Sequence, residues 1–453
     1  MAPGEGTASP DGAPPRVVII GSGFAGFHTA KSLAARTGDA VEILVVSPTN
    51  YFLYLPLLPE VAAGILEPRR ISVSLAQALP SCVRHAPGEI DEIDLEARKV
   101  GWLDPEGVHH ATTYDRLVLA AGSVHKVMPI PGVNEHAQGF RGVPEALYLR
   151  DHLIRQVDLA AMCEDPAERE ARLTFVVVGA GYTGTEVTAQ GQLFTRDLAH
   201  SRGLGDDATR WVLVSRGQVL SGLAKHLSRT ADRVLRERGV DVRCDETMEE
   251  ATGEGVRLSS GETVPTRTLL WCVGVRPDPV IDDLGVEVDQ GRVVVDTQLN
   301  VPDHPDVFAC GDAAAAPDPS RKGEYCAMTA QHAVRQGQLV GRNLAASFGY
   351  GKVRRYRHHD LGFVVDLGGR KAAANPLHIP LTGFPAKVVT RGYHLVSMPG
   401  NRIRTVVDWA LEAVLSRQTA QLGLVRSPAV PLDTASPEVP QHHLGFPHVS
   451  AHE

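Results

Sequence analysis

Two stretches of the chain repeat one design, in which an apolar segment runs into a glycine-rich turn and then into a helical pattern. Residues 16–26 read RVVIIGSGFAG, and residues 173–184 read LTFVVVGAGYTG. A continuous apolar run is typical of a parallel strand that is buried on both faces. One such turn alone could be an ordinary loop, but two copies that both follow strands predict two dinucleotide-binding units.

Each glycine of these turns has its own task in a dinucleotide-binding fold. The first permits the tight turn, the second lets a pyrophosphate approach the backbone, and the third lets the helix pack on the strand. The N-terminus of the helix then offers free N–H groups to the phosphates. In this order the glycines are Gly21, Gly23 and Gly26 in the first turn and Gly179, Gly181 and Gly184 in the second.

The surrounding pattern completes two βαβ units. The segments 41–46 (VEILVV) and 210–215 (RWVLVS) have the composition of the second strand of each unit. A helix is expected over 225–239, where it ends at a glycine, and short strands are expected over 283–296. We therefore expect an α/β fold with two Rossmann-type dinucleotide-binding domains and a C-terminal region.

Composition excludes several other classes of protein. A formal net charge of −8 gives no basic field for nucleic acid, and 43% hydrophobic residues exclude a wholly disordered chain. The six cysteines show no C-x-x-C spacing, which predicts a reduced, cytoplasmic protein without a zinc ribbon, and the histidines form no pattern of metal ligands. No apolar run has the length of a membrane-spanning helix, so any membrane contact is expected to be peripheral.

A third feature is an acidic residue at the end of a later strand. Residues 297–312 read TQLNVPDHPDVFACGD, which places Asp312 after Gly311 at the carboxyl edge of a sheet. There a carboxylate can accept hydrogen bonds from a sugar-like polyol. The alternative is that Asp312 only caps the helix that would begin in the alanine run behind it.

With this feature the chain resembles the flavoproteins that have two dinucleotide-binding domains. The connecting segments of that superfamily are present as YDRLVLAAGS (114–123) and TLLWCVGVRPD (268–278). The resemblance implies that the first glycine turn binds the ADP half of FAD. It also implies that Asp312 binds the ribityl chain of the flavin.

Longer segments between about residues 16 and 425 resemble the type II NADH dehydrogenases, which are single-chain, FAD-dependent NADH:quinone oxidoreductases. This resemblance implies oxidation of NADH or NADPH through FAD, with a quinone as acceptor. The alternative for the first of these segments is an apolar loop packed in the core. The segments are SPTNYFLYLPLLPEVAAG (47–64), YDRLVLAAGSVHKVMPIPGVNEHA (114–137), VVVGAGYTGTEV (176–187) and MTAQHAVRQG (328–337).

The glycine turns and the resemblance together give the candidate site residues. Those for FAD are Gly21, Gly23, Phe24, Ala25, Gly26, Ser47, Asn50, Ala121, Gly122, Gly311 and Asp312. Those for NAD(P)H are Gly179, Gly181, Tyr182, Thr183, Gly184, Glu186, Ser215, Arg216 and Gly274. Those for the quinone are Pro56, Leu57, Ala330 and Gln331.

Glu186 is the candidate catalytic residue. The resemblance implies that it lies by the contact between flavin and nicotinamide. A buried carboxyl group there can accept a bond from the carboxamide, or pass on a proton if burial raises its pKa. The alternative is that Glu186 is favoured only by the helix dipole, because it is expected in the first turn of a helix.

The quinone motif departs from the family pattern at one position. The motif begins Ala-Gln, which Ala330 and Gln331 match, and has a second glutamine four positions after the first. This chain has Arg335 there. The departure leaves the identity of the electron acceptor open.

A second departure concerns the choice of nucleotide. The strand after the second glycine turn usually ends in an acidic residue that binds the adenosine ribose, but here it ends in Ser215 and Arg216. With no carboxylate to repel a 2′-phosphate, and with Arg216 as its partner, we predict that NADPH is used alongside or instead of NADH. The alternative is that Arg216 points to solvent and selects nothing. In the first unit Ser47 holds the matching position and is expected on the FAD ribose.

Residues 402–417, RIRTVVDWALEAVLSR, predict an amphipathic helix with Trp409 just beside its apolar face. The pattern is typical of a helix that lies in a membrane interface, and the alternative is a helix packed on its own domain. The resemblance favours the interface, because type II dehydrogenases attach to the membrane through their C-terminal region. The stretch 361–369 is expected to be sheet and core without a chemical role. The apolar positions are Ile403, Val406, Val407, Ala410, Leu411, Val414 and Leu415, and the basic ones are Arg402, Arg404 and Arg417.

These features divide the chain into expected segments. Pro- and Gly-rich tails at both ends are expected to be disordered. The segments are a tail (1–15), the first part of an FAD-binding domain (16–150), an NAD(P)H-binding domain (151–278), the second part of the FAD-binding domain (279–350), a C-terminal region with the amphipathic helix (351–426) and a second tail (427–453).

The sequence therefore predicts an FAD-dependent NAD(P)H:quinone oxidoreductase that pumps no protons. It is expected to be cytoplasmic and peripheral on the inner face of the cell membrane, and whether it forms a homodimer stays open. Three alternatives remain. They are a soluble NAD(P)H reductase for another acceptor, a flavin-bound signalling protein, and a sulfide:quinone oxidoreductase that pairs Cys163 with Cys310 or Cys326.

Overall fold

A computed structural model describes residues 13–427 and 430–432 of the chain. Its first glycine turn belongs to a six-stranded sheet, which is parallel except for one short edge strand. The helix Phe24–Thr37 connects the central strand to its neighbour. In spatial order the strands are Asn300–Val301, His304–Ala309, Arg116–Leu119, Arg16–Ile20, Glu42–Ser47 and Val83–Pro87.

The second glycine turn belongs to a five-stranded sheet that is parallel throughout. Along its central strand, Phe175 and Val177 pack into one apolar cluster while Val176 and Val178 pack into another. This sheet is therefore buried on both faces, as its continuous apolar sequence predicts. In spatial order the strands are Ala137–Gln138, Thr268–Trp271, Thr174–Val178, Arg210–Ser215 and Asp241–Cys244.

A two-stranded antiparallel ribbon joins the carboxyl edges of the two sheets. The strand Ser123–His125 leaves the first sheet and pairs with Val275–Pro277, which leaves the second. The backbone of Lys126 donates to the carbonyl of Gly274 at 3.0 Å, and that of Asp278 donates to the carbonyl of Gly122 at 3.2 Å. The ribbon thus brings the ends of both parallel sheets to one place, where ligands bind in folds of this kind.

The long helix Ala330–Ser347 packs closely on the first crossover helix, Phe24–Thr37. A Cβ atom on Gly337 would lie only 2.2 Å from the carbonyl oxygen of Ala25. The hydroxyl of Thr29 donates to the carbonyl of Gly337 at 3.1 Å. The glycine therefore sets how closely these two helices approach.

The remaining elements are short strand groups and peripheral helices. The strands are Tyr51–Leu53 with Ser72–Ser74; Glu89–Asp94, Lys99–Leu103 and His109–Thr113; Met248–Thr252, Gly255–Leu258 and Thr263–Pro265; Val288–Asp289, Arg292–Val294 and Ala314–Ala315; and Val364–Asp366, Ala372–Ala374 and Leu381–Thr382. The α-helices are Leu58–Ala62, Pro68–Ile71, Leu75–Ala78, Val133–His136, Val143–Met162, Pro166–Leu173, Tyr182–Ser201, Lys225–Glu237, Gly383–Ser397 and Arg402–Glu412. The 3₁₀ turns are Gly38–Ala40, Leu55–Leu57, Pro279–Ile281, Gly311–Ala313 and Pro376–His378.

Several expectations from the sequence can be compared with these elements. The α/β class with two Rossmann-type units is confirmed, as are the helix that begins at Lys225 and the short strands after residue 283. The C-terminal helix is shorter than expected, because it ends at Glu412 rather than at residue 417. Trp409 is its most deeply buried apolar residue, whereas the apolar positions listed for the membrane face are all solvent-exposed.

The expected disordered tails lie mostly outside the described residues. Residues 1–12, 428–429 and 433–453 belong to that part of the chain. Within the described part, the expectation fails at two positions, since Val430 and Leu432 are buried. Leu432 packs into the apolar cluster on one face of the second sheet.

The close contact at Gly337 gives a first prediction. Gly337→Ala should lower the free energy of unfolding by about 1–3 kcal/mol, because the added methyl group overpacks against Ala25. Gly392→Ala is the matched control, since it lies inside the helix Gly383–Ser397 with no atom within 4 Å of the added Cβ. That variant should be neutral or up to about 1 kcal/mol more stable. Equal effects of the two changes in urea denaturation would contradict the packing argument.

Candidate functional site

Both glycine turns have backbone geometry that only glycine adopts readily. The φ angles of Gly21 and Gly179 are +94° and +106°. A Cβ atom on Gly21 would lie 2.4 Å from the carbonyl oxygen of Ala120, and one on Gly179 would lie 2.2 Å from that of Cys272. Each turn is therefore pressed against the strand that neighbours it in its sheet.

The third glycine of each turn is fixed by the helix that follows it. A Cβ atom on Gly26 would lie 1.9 Å from the carbonyl oxygen of Gly21. The matching distance from Gly184 to the carbonyl oxygen of Gly179 is 1.8 Å. Any side chain here would push the helix off the turn, so the two units agree in geometry as well as in sequence.

The second glycine of each turn is different, because the space beside it is empty. No atom lies within 4 Å of a Cβ placed on Gly23 or Gly181. The helices that start at Phe24 and Tyr182 have no acidic residue in the first turn and no side chain that caps them. Each turn thus presents free N–H groups to open space, which fits the pyrophosphate of a dinucleotide.

Two further glycines of the candidate site lie beside the ribbon that joins the sheets. Gly122 and Gly274 have φ angles of +80° and +107°, and a Cβ on either would meet no atom within 4 Å. Ala121 precedes the first of them and is half-buried. The ribbon therefore keeps the backbone bare on both sides of the place where the two sheets meet.

Asp312 lies in a 3₁₀ turn at the edge of the first sheet. The hydroxyl of Ser123 donates to its Oδ2 atom at 2.7 Å, and burial raises the pKa of its carboxyl group. Gly311 has a φ of +72° and donates its N–H to the side chain of the buried Gln336 at 2.8 Å. The chain continues from this turn into the short strand Ala314–Ala315, so the alternative of a helix cap does not apply.

Other residues assigned to FAD have packing roles in this structure. Ser47 is buried, and its hydroxyl donates to the carbonyl of Thr49 at 2.9 Å and lies 3.0 Å from Nε2 of His85. Asn50 is exposed, and its carbonyl accepts the N–H of Leu75. The ring of Phe24 stacks edge-on against Phe52, 5.0 Å between centroids, while Ala25 is buried under the long helix.

Glu186 is half-buried and lies against a buried charged cluster formed by Asp366, Glu60 and Lys387. The backbone N–H of Asp366 donates to its Oε1 atom at 2.8 Å. Loss of hydration raises the pKa of Glu186 to about 8, and the negative charges of Asp366 and Glu60 add to that rise. The carboxyl group is therefore largely protonated at neutral pH.

Lys387 supplies the positive charge of this cluster. Its ammonium group forms an ion pair with Asp366 and lies 3.8 Å from Oε1 of Glu60. Burial raises the pKa of Glu60 to about 7 although Lys387 opposes that rise. Burial also acts to raise the pKa of Asp366, but the ion pair with Lys387 outweighs it and holds that pKa below its usual value. The indole N–H of Trp409 donates to Oε2 of Glu60 at 2.5 Å.

Sequence reasoning missed most of this cluster. The stretch 361–369 is expected to be sheet and core, and Val364–Asp366 is a strand, but that expectation does not include the contact of Asp366 with Glu186. Glu60 lies in the segment 47–64, but nothing in the sequence pairs it with Lys387. The one available signal was that Glu60 and Lys387 are charged residues within otherwise apolar stretches.

The residues assigned to the acceptor lie on two elements. Ala330 opens the long helix, and the amide of Gln331 donates to the carbonyl of Gly362 at 2.8 Å. Arg335, which replaces the family glutamine, donates to Oε1 of Gln331 at 3.1 Å. Pro56 is half-buried, whereas Leu57 is packed inside the largest apolar cluster, as the core alternative for this segment describes.

The carboxyl edge of the second sheet, which would select the nucleotide, also holds Glu246, a residue that was not a candidate from the sequence. Arg216 is exposed and has no partner among the described residues, while Tyr182 packs near Phe363 and Thr183 is exposed. The N–H of Glu246 donates to the carbonyl of Ser215 at 3.1 Å. Glu246 comes from the loop after the neighbouring strand, which is why the end of the strand Arg210–Ser215 gave no sign of it.

The cysteines give no support to sulfide chemistry. All six are free thiols. Burial raises the pKa of Cys310 and of Cys326 to about 12. A redox cysteine needs a thiolate and hence a lowered pKa, so neither residue has the environment of a nucleophile.

Comparisons with known proteins agree with this geometry. Residues 15–337 match the family model described as pyridine nucleotide-disulphide oxidoreductase. The chain is 31% identical over 445 residues to a type II NADH:quinone oxidoreductase of Mycobacterium tuberculosis, covering 94% of this chain and 92% of that protein. It is 27% identical over 443 residues to a mitochondrial internal alternative NAD(P)H-ubiquinone oxidoreductase of Solanum tuberosum, covering 90% and 88%.

A solved structure is similar over almost the whole fold. The structure of NDH2 from Plasmodium falciparum in complex with NADH superposes with a TM-score of 0.83, covering 90% of this chain and 100% of that one. The two sequences are 16% identical, so this likeness concerns the fold alone.

The raised pKa of Glu186 predicts a dependence of stability on pH. Because the folded state holds a proton up to pH about 8 that the unfolded state releases near pH 4.5, this group makes the protein less stable as the pH rises between those values. Glu186→Gln mimics the protonated form and can still accept the N–H of Asp366. Its melting temperature relative to the wild type should therefore rise by several degrees from pH 5.5 to pH 8.5.

Glu164→Gln is the control for this prediction, because Glu164 is exposed. The melting temperature of that variant should follow the wild type at both pH values. A difference between Glu186→Gln and the wild type that does not change with pH would show that Glu186 is not protonated in the folded protein.

Proposed function

The chain belongs to the pyridine nucleotide-disulphide oxidoreductase family and, within it, to the type II NADH:quinone oxidoreductases, and on that premise we propose that it oxidises NADH or NADPH and passes two electrons through FAD to a quinone. The observation that carries the proposal is the ribbon Ser123–His125/Val275–Pro277, which joins the edges of two sheets that each end in an open glycine turn. The resemblance seen in the sequence motifs agrees with this assignment.

The residues of the first unit are suited to hold FAD. Gly23 and the N–H groups at the start of Phe24–Thr37 would bind the pyrophosphate, and Asp312 would accept hydrogen bonds from the ribityl hydroxyls. When bound, FAD supplies a ring system that takes two electrons from a nicotinamide and gives them to a quinone. Gly181 and the start of Tyr182–Ser201 would bind the pyrophosphate of NAD(P)H in the same way.

Glu186 is suited to hold a proton beside the reacting groups. Reduction of a quinone by NAD(P)H consumes one proton and yields NAD(P)⁺ and a quinol. Because Oε1 of Glu186 accepts the N–H of Asp366, the proton of the neutral carboxyl group belongs on Oε2. From Oε2 the carboxyl group can donate this proton to a carboxamide or exchange it with the buried cluster of Lys387, Asp366 and Glu60.

Anaerobic stopped-flow absorbance tests the proposed function. The purified protein should be yellow, its flavin band should bleach on mixing with NADH or NADPH, and the band should return on mixing with a short-chain quinone. Return of the band with a ferredoxin but not with quinones would favour the soluble reductase. A colourless protein that takes up no FAD would contradict the proposal.

Arg216 provides the argument for NADPH. Its guanidinium group is exposed at the end of the strand Arg210–Ser215 and is free to pair with a 2′-phosphate. Arg216→Ala should lower kcat/KM for NADPH by about tenfold or more and leave that for NADH nearly unchanged. Arg229→Ala, an exposed arginine on the helix Lys225–Glu237, is the control and should change neither value. A wild-type enzyme that strongly prefers NADH would contradict the role of Arg216 and point to Glu246 instead.

We also propose that the C-terminal helices attach the protein to a lipid bilayer, on the cytoplasmic side. Ile403 is 81% exposed and Val396 is 77% exposed, and the other apolar side chains of this surface are exposed as well. Many exposed apolar side chains on two consecutive helices are typical of an interaction surface, and a quinone with an isoprenoid tail is reached from the bilayer. The patch comprises Phe384, Val388, Val396, Ile403, Val406, Val407, Leu411, Val414 and Leu415.

The basic residues near this patch differ in their exposure to solvent. Arg404 is exposed beside it. Arg417, which the sequence placed with the headgroup contacts, forms an ion pair with Glu412 at 3.3 Å and is mostly covered by the protein. It therefore belongs to the packing of this region and not to its lipid surface. In the described ranges, 13–427 and 430–432, the protein has no helix with the length and apolarity needed to cross a membrane.

Vesicle sedimentation tests the membrane proposal. The triple change Ile403→Ser, Val407→Ser and Leu411→Ser should weaken vesicle binding about tenfold or more, because each serine removes apolar area from the interface. The control changes Leu103, Val108 and Leu159, which are exposed elsewhere, to serine. Turnover with a water-soluble quinone should be the same in both. Equal vesicle binding by the two variants would contradict the proposal.

A further inference from the structure

A cavity of about 640 Å³ lies between the long helix Ala330–Ser347 and the irregular segment 352–363. Its size is that of a small-molecule site. Four lining residues are spaced along one face of the helix, and the others are consecutive in the segment. They are Arg335, Gln338, Leu339 and Arg342 on the helix, and Arg354, Arg355, Tyr356 and Arg357 on the segment.

The segment is held in place by its backbone, which leaves the arginine side chains free. The side chain of the buried Asn343 donates to the carbonyl of Arg354 and accepts its N–H, both at 2.9 Å. The N–H of Tyr356 donates to the carbonyl of Thr297 at 2.7 Å, and its hydroxyl lies 2.8 Å from Nδ1 of His332. The wall of the cavity is therefore built in advance of any ligand.

The positive charge of this cavity is not compensated. Among the described residues, none of the five lining arginines forms an ion pair with a carboxylate. A sixth guanidinium group, that of Arg36, lies nearby. Burial lowers the pKa of Arg36, and the positive charges of Arg342 and Arg354 lower it further. The chain as a whole carries a formal charge of −8, so the concentration of arginines here runs against its composition.

We propose that this cavity binds a group with several phosphate charges, either a free polyphosphate or the headgroup of an anionic lipid. Guanidinium groups bind phosphate oxygens in pairs of parallel hydrogen bonds, and several of them around one cavity match several charges. None of the lining residues belongs to the two glycine turns or to the ribbon. The site is therefore separate from those for FAD and NAD(P)H.

Arg335 connects this cavity to the acceptor residues. The same guanidinium group that lines the cavity donates to Oε1 of Gln331 at 3.1 Å and lies 3.2 Å from Nδ1 of His358. An anion in the cavity competes with Gln331 for this group. The arginine that replaces the family glutamine is thus also part of a second site, which binds anions.

Isothermal titration calorimetry of the FAD-loaded protein with sodium tripolyphosphate tests the proposal. The double change Arg342→Ala and Arg354→Ala leaves the backbone bonds to Asn343 in place and should weaken binding by about tenfold or more. The control is Arg229→Ala with Arg233→Ala, which removes the same charge from the exposed face of the helix Lys225–Glu237. It should bind as the wild type does.

Vesicle flotation separates the two sources of phosphate. Phosphatidylcholine vesicles with and without phosphatidic acid are compared for the same three proteins. If the headgroup is the ligand, only the double cavity variant loses the extra binding that phosphatidic acid gives, and tripolyphosphate binds weakly. If neither probe distinguishes the cavity variant from the control, the proposal is wrong. This test does not involve turnover, so its outcome is independent of the proposed function.

Discussion

The architecture depends on two helices that start in direct contact with the turns from which they emerge. At Gly26 and Gly184 even a methyl group would lie within 2 Å of a carbonyl oxygen of the same turn. Because no side chain fits, the helix keeps one direction relative to the strand, and its first N–H groups face the open space beside the second glycine. The packing constraint and the binding site are thus the same feature, and the chain contains it twice.

The two glycine turns must also face the same region of the molecule. The ribbon formed by Ser123–His125 and Val275–Pro277 provides this, since each of its strands continues from a strand next to a glycine turn. Around that place, segments distant in sequence contribute charge. Glu60, Asp366 and Lys387 form a buried cluster beside Glu186, and loss of hydration, aided by the negative charges of Asp366 and Glu60, raises the pKa of Glu186 to about 8. A neutral acid and a nearby ion pair suit a site that must handle protons without exposing charge to a flavin.

The sequence predicts those parts of the structure that are determined by residues close together in the chain. An apolar run followed by a glycine turn identifies both Rossmann units, because strand burial and turn geometry are properties of neighbouring residues. It could not predict that Asp366 reaches Glu186, since the contact joins residues 180 positions apart. The periodicity of the C-terminal helix continues past Glu412, so the pattern did not mark its end. That periodicity also gave two faces without saying which one meets the protein, and the face with Trp409 is the buried one.

The central claim is that two dinucleotides lie on the two glycine turns and meet beside Glu186. The most direct measurement is a crystal structure of the FAD-loaded protein with NADH bound under anaerobic conditions. The account predicts one pyrophosphate over Gly23, the other over Gly181, and the nicotinamide stacked on the flavin within contact of the Glu186 carboxyl group. Pyrophosphates placed away from these turns, or rings that do not meet, would contradict it.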